Sequence, residues 1–126
     1  MVREICLDSD VIISFLSNDE KTKQIIENLD ADFYTTSINS FETWFGRTKS
    51  EKIFELLQWL KIMSFDKKAS LLAGDILRDL KNKGEILEIR DVFIGSICVK
   101  NGIELLTFNK KHFERLRKFG LILTEY

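Results

Sequence analysis

Short apolar runs alternate with longer segments of helical spacing along the whole chain. Residues 4–8 are short and apolar enough to be a buried strand, and Phe33–Thr36, "KIMSF" (61–65), "IELLTF" (103–108) and "GLILTE" (120–125) read as further short strands. Between them the spacing predicts helices. One runs from Asp10 to Leu16, a second follows a Ser37 cap through "INSFETWFG" to Gly46, and a third carries Ile53, Leu56, Leu57 and Leu60. The next has the stripe Ala69, Leu72, Ala73, Ile76, Leu77 and Leu80, with Asp66 as cap and Gly84 as stop. "RDVFIGSICVKNG" begins a further helix near Asp91 and ends it at Gly102, and "KKHFERL" supplies a last short one. Strands and helices in alternation imply a parallel sheet covered on both faces.

Composition narrows the class. With 126 residues, 44% hydrophobic and 31% charged, the chain has the make-up of one folded domain spanning 1–126, and the absence of proline, repeats and low-complexity stretches gives no hint of a linker. Cys6 and Cys98 lie inside apolar runs without CxxC spacing, which reads as two core residues in a reducing compartment. A single histidine, His112, falls short of the roughly four ligands a zinc site takes. No apolar stretch approaches the roughly 20 residues of a membrane span, and the N-terminus lacks signal-peptide features, so the expected location is cytoplasmic with no membrane partner. Nineteen basic and 20 acidic residues leave a net charge of −1, so any attraction for a polyanion must be local.

The acids carry the chemistry. In open α/β sheets, ligands bind beyond the carboxyl ends of the strands. That rule selects Asp8 after the first strand, Glu42 on the helix after the second, Asp91 at the helix feeding the fourth, and Thr107, Phe108 and Asn109 after it. Each also has a plain structural reading: Asp8 and Asp91 as helix caps, Arg90 as a simple partner for Asp91, Glu42 on a solvated helix face, Asn109 in a turn. Taken jointly, carboxylates whose motifs build in no basic residue would repel one another unless a hard cation sat among them. Mg2+ or Mn2+ suits oxygen ligands and leaves room for a substrate phosphate. Such a site can hydrolyse a phosphodiester by steadying charge on the phosphoryl oxygens and activating a water, with one ion or with two about 4 Å apart.

Those residues, in that order, resemble the PIN domain family, and in particular the small VapC-type toxins of prokaryotic toxin–antitoxin pairs. "LDSDVIISFL" is similar to the family's opening strand with its aspartate, and "TTSINSFETWFG" to its small-residue, glutamate and glycine helix. "RDVFIGSICVKNGIELLTFNKKHFERL" matches the third acid, the apolar helix, the strand and the T-x-N-x-x-H-F tail. The resemblance implies a three-layer α/β/α sandwich around a mostly parallel sheet of four or five strands. It also implies a Mg2+- or Mn2+-dependent endoribonuclease, with Asp8, Glu42 and Asp91 as the catalytic, metal-binding acids. Thr107 and Asn109 would be the supporting polar pair. Many relatives carry a fourth aspartate where this chain has Asn109 and His112, and Asp10 is a candidate to compensate.

The same resemblance implies an RNA substrate, a homodimer and a small VapB-like antitoxin that lays a helix in an apolar groove, for which Phe41, Trp44, Phe45 and Trp59 are candidates. Lys110, Lys111, Arg115, Arg117 and Lys118 are candidates to guide an RNA backbone, with a solvated face as the plain alternative. Two rival functions stay open. "ICLDSDV" and "GDILRD" imitate elements of haloacid-dehalogenase-like phosphatases, although Asp75 and Asp79 should occupy the polar side of their helix. Asn109 permits a PIN-like binding subunit without turnover.

Overall fold

A computed structural model describes residues 2–46, 50–85 and 88–126. Its centre is a parallel sheet of β1 (Arg3–Leu7), β2 (Ala31–Thr36), β3 (Lys61–Met63) and β4 (Glu104–Leu106) in the order β3-β2-β1-β4. Register is set in the middle, where Cys6 lies opposite both Tyr34 and Leu105. The chain steps from β1 outwards to β2 and β3, then returns to place β4 on the other side of β1. This reversal opens a crevice at the carboxyl ends of β1 and β4.

The helices are α1 (Ser9–Leu16), α2 (Glu20–Asn28), α3 (Ser37–Phe45), α4 (Glu51–Trp59), α5 (Lys67–Asn82), α6 (Ile89–Asn101) and α7 (Lys110–Phe113), which runs into a 3-10 segment, Glu114–Phe119. Alternation along the strands divides the core into two layers. Cys6 and Leu105 face one layer with Ala73 and Ile76 of α5, Ile94 and Ile97 of α6, Phe113 and Leu116. Ile5, Leu7 and Leu106 face the other with Val11 and Ile12 of α1 and Leu60, against which Ile25, Ile26 and Leu56 pack. The result is the three-layer α/β/α sandwich. Among the described residues, no helix is long and apolar enough to cross a membrane.

Several elements differ from expectation. "GLILTE" contributes one parallel bridge, Leu105 to Leu123, rather than a strand. Leu105 donates to the Ile122 carbonyl and accepts from the Thr124 N–H, each at 2.9 Å, while its neighbour Leu106 turns its carbonyl inwards to the Asp8 N–H. Only Leu105 of this three-residue strand presents its backbone to the outer edge, so the pairing stops there. The third expected strand keeps only Lys61–Met63 of "KIMSF". The cap of α3 is Thr36, whose hydroxyl accepts from the Asn39 N–H, while Ser37 accepts from the Phe65 N–H instead. Helix α6 starts at Ile89, two residues before Asp91, which places Asp91 in its first turn. Helix α2 was not among the expected elements; it is capped by Asp19 and buries Thr22.

Candidate active site

Asp8 follows β1 directly and is 1% exposed. Its carboxylate receives four donors. Oδ1 accepts from the Ser9 N–H at 2.8 Å, Asn39 Nδ2 at 2.9 Å and Arg90 Nη2 at 3.3 Å, and Oδ2 accepts from Thr107 Oγ1 at 2.7 Å. The capping role and the place at the sheet edge therefore coexist in one residue. Thr107 follows β4 and also accepts from the Asn109 N–H at 3.0 Å, so the end of β1 and the end of its neighbour β4 are tied through one hydroxyl.

Glu42 reaches the same point from α3. Ser9 Oγ donates to its Oε1 at 2.7 Å and Asn39 Nδ2 donates to Ser9 Oγ at 2.9 Å. Asn39 and Glu42 share a helix face because they are three apart. Asp91, 1% exposed, arrives from the first turn of α6. The structure thus gathers Asp8, Glu42 and Asp91 from three separate segments. Asn109 sits at the mouth of this crevice, exposed, and starts α7 without a side-chain cap bond. His112 Nδ1 lies 3.8 Å from Asp91 Oδ2 with its ring mostly in solvent.

One expectation about this cluster is corrected. A basic residue is built into the motifs: Arg90 donates to both oxygens of Glu42, to Asp91 Oδ1 and to Asp8 Oδ1. The reading of Arg90 as a partner for Asp91 is therefore part of the truth, and its reach to Glu42, 48 residues away in sequence, is the larger part. The guanidinium takes the middle of the cluster, and among the described residues no three acid, histidine or cysteine side chains close on a common point by themselves. In kind, the donor set fits a hard divalent cation: buried carboxylate oxygens, with hydroxyls of Ser9 and Thr107 beside them.

The electrostatics follow from this crowding. Burial works against the Arg90 charge, but the Glu42 hydrogen bonds and the charges of Asp8, Glu42 and Asp91 prevail and hold its pKa above the ordinary value. Burial pushes Asp91 up, Asp8 and Glu88 add to the push, and Arg90 opposes it. Asp10 lies beside the cluster rather than in it, its oxygens accepting from the Val11 N–H at 2.8 Å and the Phe108 N–H at 3.1 Å. Burial and the Asp8 charge raise Asp10 to about 6.

The other candidates lie outside. Asp75 and Asp79 face solvent on α5, Asp75 paired with Arg78 and Asp79 with Lys83 and Lys118, which removes the phosphatase reading of "GDILRD". Lys110 pairs with Glu125 and sits over Tyr126, Arg115 faces Glu85, and Arg117 pairs with Glu114. Phe41 is 65% and Phe45 77% exposed, stacked on each other along α3 with Trp44 beside them, whereas Trp59 ends α4 against Phe33. Ser9, Asn39 and Arg90 are the members that strand-end reasoning did not include. Each was adjacent to a chosen acid in sequence or on its helix face.

An α/β/α domain with acids gathered at the carboxyl edge of its sheet is the class these features define, and a family model for the PIN domain matches residues 5–119. The chain belongs to the PIN domain family. Within it, the chain is similar to Ribonuclease VapC1 of Methanocaldococcus jannaschii, 28% identical over 121 residues that cover 94% of this chain and 85% of that one. It is likewise similar to Ribonuclease VapC3 of the same organism, 32% identical over 91 residues, 72% of this chain and 94% of that one. Among solved structures, the fold matches VapBC2 from Rickettsia felis bound to a promoter DNA fragment, with a TM-score of 0.83, 24% identity and 98% of each chain covered. VapC20 of Mycobacterium tuberculosis, described as a sarcin-ricin loop cleaving toxin, matches with a TM-score of 0.70 at 13% identity, covering 97% of this chain and 99% of that one.

Proposed function

We propose that this chain is a Mg2+- or Mn2+-dependent endoribonuclease, the toxin half of a VapBC-type pair acting in the cytoplasm. The observation that carries this reading is the convergence of Asp8, Glu42 and Asp91 around Arg90 at the crevice between β1 and β4, in a chain whose curated relatives are ribonucleases.

Asp8, Glu42 and Asp91 would hold the ion, which when bound supplies charge stabilisation at the phosphoryl oxygens and a water of lowered pKa. Asn39, Ser9 and Thr107 fix the Asp8 and Glu42 rotamers by hydrogen bonds, so the acids are in place before substrate arrives. Asn109, at the mouth, offers a neutral amide to the ribose–phosphate chain. Because an amide holds a cation less strongly than a carboxylate, a second ion is the weaker of the two.

The exposed aromatics Phe41, Trp44 and Phe45 support a VapB-like antitoxin as partner, since an amphipathic helix buries its apolar face against such a surface. A homodimer completes the reading, and sedimentation of pure protein at twice the chain mass is the expected result.

Antitoxin-free protein with Mg2+ or Mn2+ should cleave RNA, and Asp8→Asn and Asp91→Asn should each lower the rate at least about a hundredfold, because loss of a mere supporting contact already costs 10–100-fold. Cleavage undiminished in both variants would point to a contaminant or a different site. Arg90 on the acids and Asn109 in place of an acid favour a second reading, a binding subunit without turnover. Absence of cleavage by the unaltered chain with either ion, across structured and single-stranded RNA, would establish that reading in place of the first.

A further inference from the structure

We propose that Arg90 is a displaceable internal counter-cation: it holds Asp8, Glu42 and Asp91 together in the metal-free chain, and a divalent ion binds by competing with it. This inference rests on the metal-dependent reading above.

A carboxylate offers about four lone-pair sites. On Asp8 they are unevenly used: Oδ1 carries three donors, the Ser9 N–H, Asn39 and Arg90, while Oδ2 carries Thr107 alone. Glu42 has three taken, one by Ser9 and two by Arg90. Arg90 occupies an oxygen of each of the three acids, so a cation that takes Asp8 Oδ1, or the point the acids share, must evict a donor. The Ser9 N–H belongs to the backbone of α1, and Asn39 and Thr107 are buried and anchored at Thr36 and Asn109 respectively. Arg90 differs on both counts. Its contact with Asp8 is the longest of the four, at 3.3 Å, and its side chain is 31% exposed, so it can swing into water without opening the core.

Charge points the same way. Three carboxylates with one guanidinium leave the cluster two charges negative, enough to attract a divalent ion strongly while remaining intact without one. The planar fork that spans Glu42 and Asp91 is specific to arginine, and an ammonium can reproduce the charge but not the double contact. Arg90 thus sets the affinity for the ion by how firmly it holds on.

The test measures Mn2+ binding by calorimetry and by electron paramagnetic resonance, using full-length protein stripped with chelator, for the unaltered chain, Arg90→Gln and Arg90→Lys. Arg90→Gln should bind Mn2+ at least about tenfold more tightly, with Arg90→Lys between the two. In chelator Arg90→Gln should melt below the unaltered chain, and saturating Mn2+ should raise its melting temperature by more. Equal or weaker Mn2+ binding by Arg90→Gln overturns the proposal. Should Arg90→Gln fail to fold, Arg90→Lys decides alone, and affinity no greater than that of the unaltered chain overturns it. Absence of Mn2+ binding in every protein would remove the metal reading itself, a result distinct from equal affinities, which would remove only the role of Arg90.

Discussion

At the residue scale, Thr107 is the joint between β1 and the edge strand β4. Its hydroxyl donates to Asp8 and accepts from the Asn109 N–H, so one oxygen orients an acid and the mouth of the site together. Thr107→Val keeps the shape and removes both contacts. Supporting residues of metal ligands are worth about 10–100-fold in metal affinity or activity. A loss of that size, with the far-ultraviolet circular dichroism unchanged, is the expected result, whereas full Mn2+ affinity and full activity would show that Asp8 needs no such support. Asp8, Glu42 and Asp91 were legible because the strand-end rule depends only on where strands stop. Arg90 was visible as a neighbour of Asp91, but its reach to Glu42 depends on how α3 and α6 lie across the sheet, and periodicity does not encode that. Asn39 was the more readable omission, since it sits three residues before Glu42 on one face.

At the element scale, helix ends separate what spacing conveys from what it leaves out. Helix α5 starts where its stripe and Asp66 place it. The Lys100 ammonium and the Ala69 N–H hold the Asp66 carboxyl below its ordinary value. A depressed folded pKa means stabilisation that is present above the unfolded value of 3.8 and is lost as pH falls through the folded one. Asp66→Asn should therefore melt below the unaltered chain at neutral pH, and the gap should narrow as the pH falls below the unfolded value. A gap that is independent of pH would rule out the charge as its source.

Helix α6 supplies a packing test. A Cβ on Gly95 would lie 2.5 Å from Leu116 Cδ1, and Leu116 is fully buried. Alanine gains about 1 kcal/mol of helix propensity over glycine, against about 1–3 kcal/mol for overpacking. Gly95→Ala should therefore destabilise by up to about 2 kcal/mol in urea unfolding, and combining it with Leu116→Val should cost less than the sum of the two changes. Strict additivity would show that the two positions do not press on each other. Helix α2 escaped notice for a related reason. Its stripe, Thr22, Ile25, Ile26 and Leu29, has the right spacing but begins with a polar residue whose hydroxyl pairs with Ser14 and Asp19 and is buried by that pairing.

At the scale of the whole molecule, sheet order does most to build the site. Strand order β3-β2-β1-β4 puts the reversal of winding beside β1, which is why an aspartate ending that strand meets a threonine ending β4. Alternation announced the parallel sheet, but the last expected strand shrank to one bridge because edge pairing depends on which backbone groups face outwards. Binding of an ion to the folded state alone stabilises the entire fold. Mn2+ at a hundred times its Kd should add about 2.7 kcal/mol to unfolding of the unaltered chain. Asp91→Asn should gain far less, and an equal gain would place the ion elsewhere.

Whether the acids at the β1–β4 crevice work through a divalent ion is decided by the initial rate of RNA cleavage by chelator-stripped protein as Mn2+ is titrated in, run in parallel for the unaltered chain and Asp8→Asn. No cleavage before metal is added, saturable activation of the unaltered chain, and a rate at least about a hundredfold lower for Asp8→Asn at every concentration are the expected results. Cleavage that proceeds unchanged in chelator, or equal activation of the two proteins, would contradict a metal-dependent role for these acids.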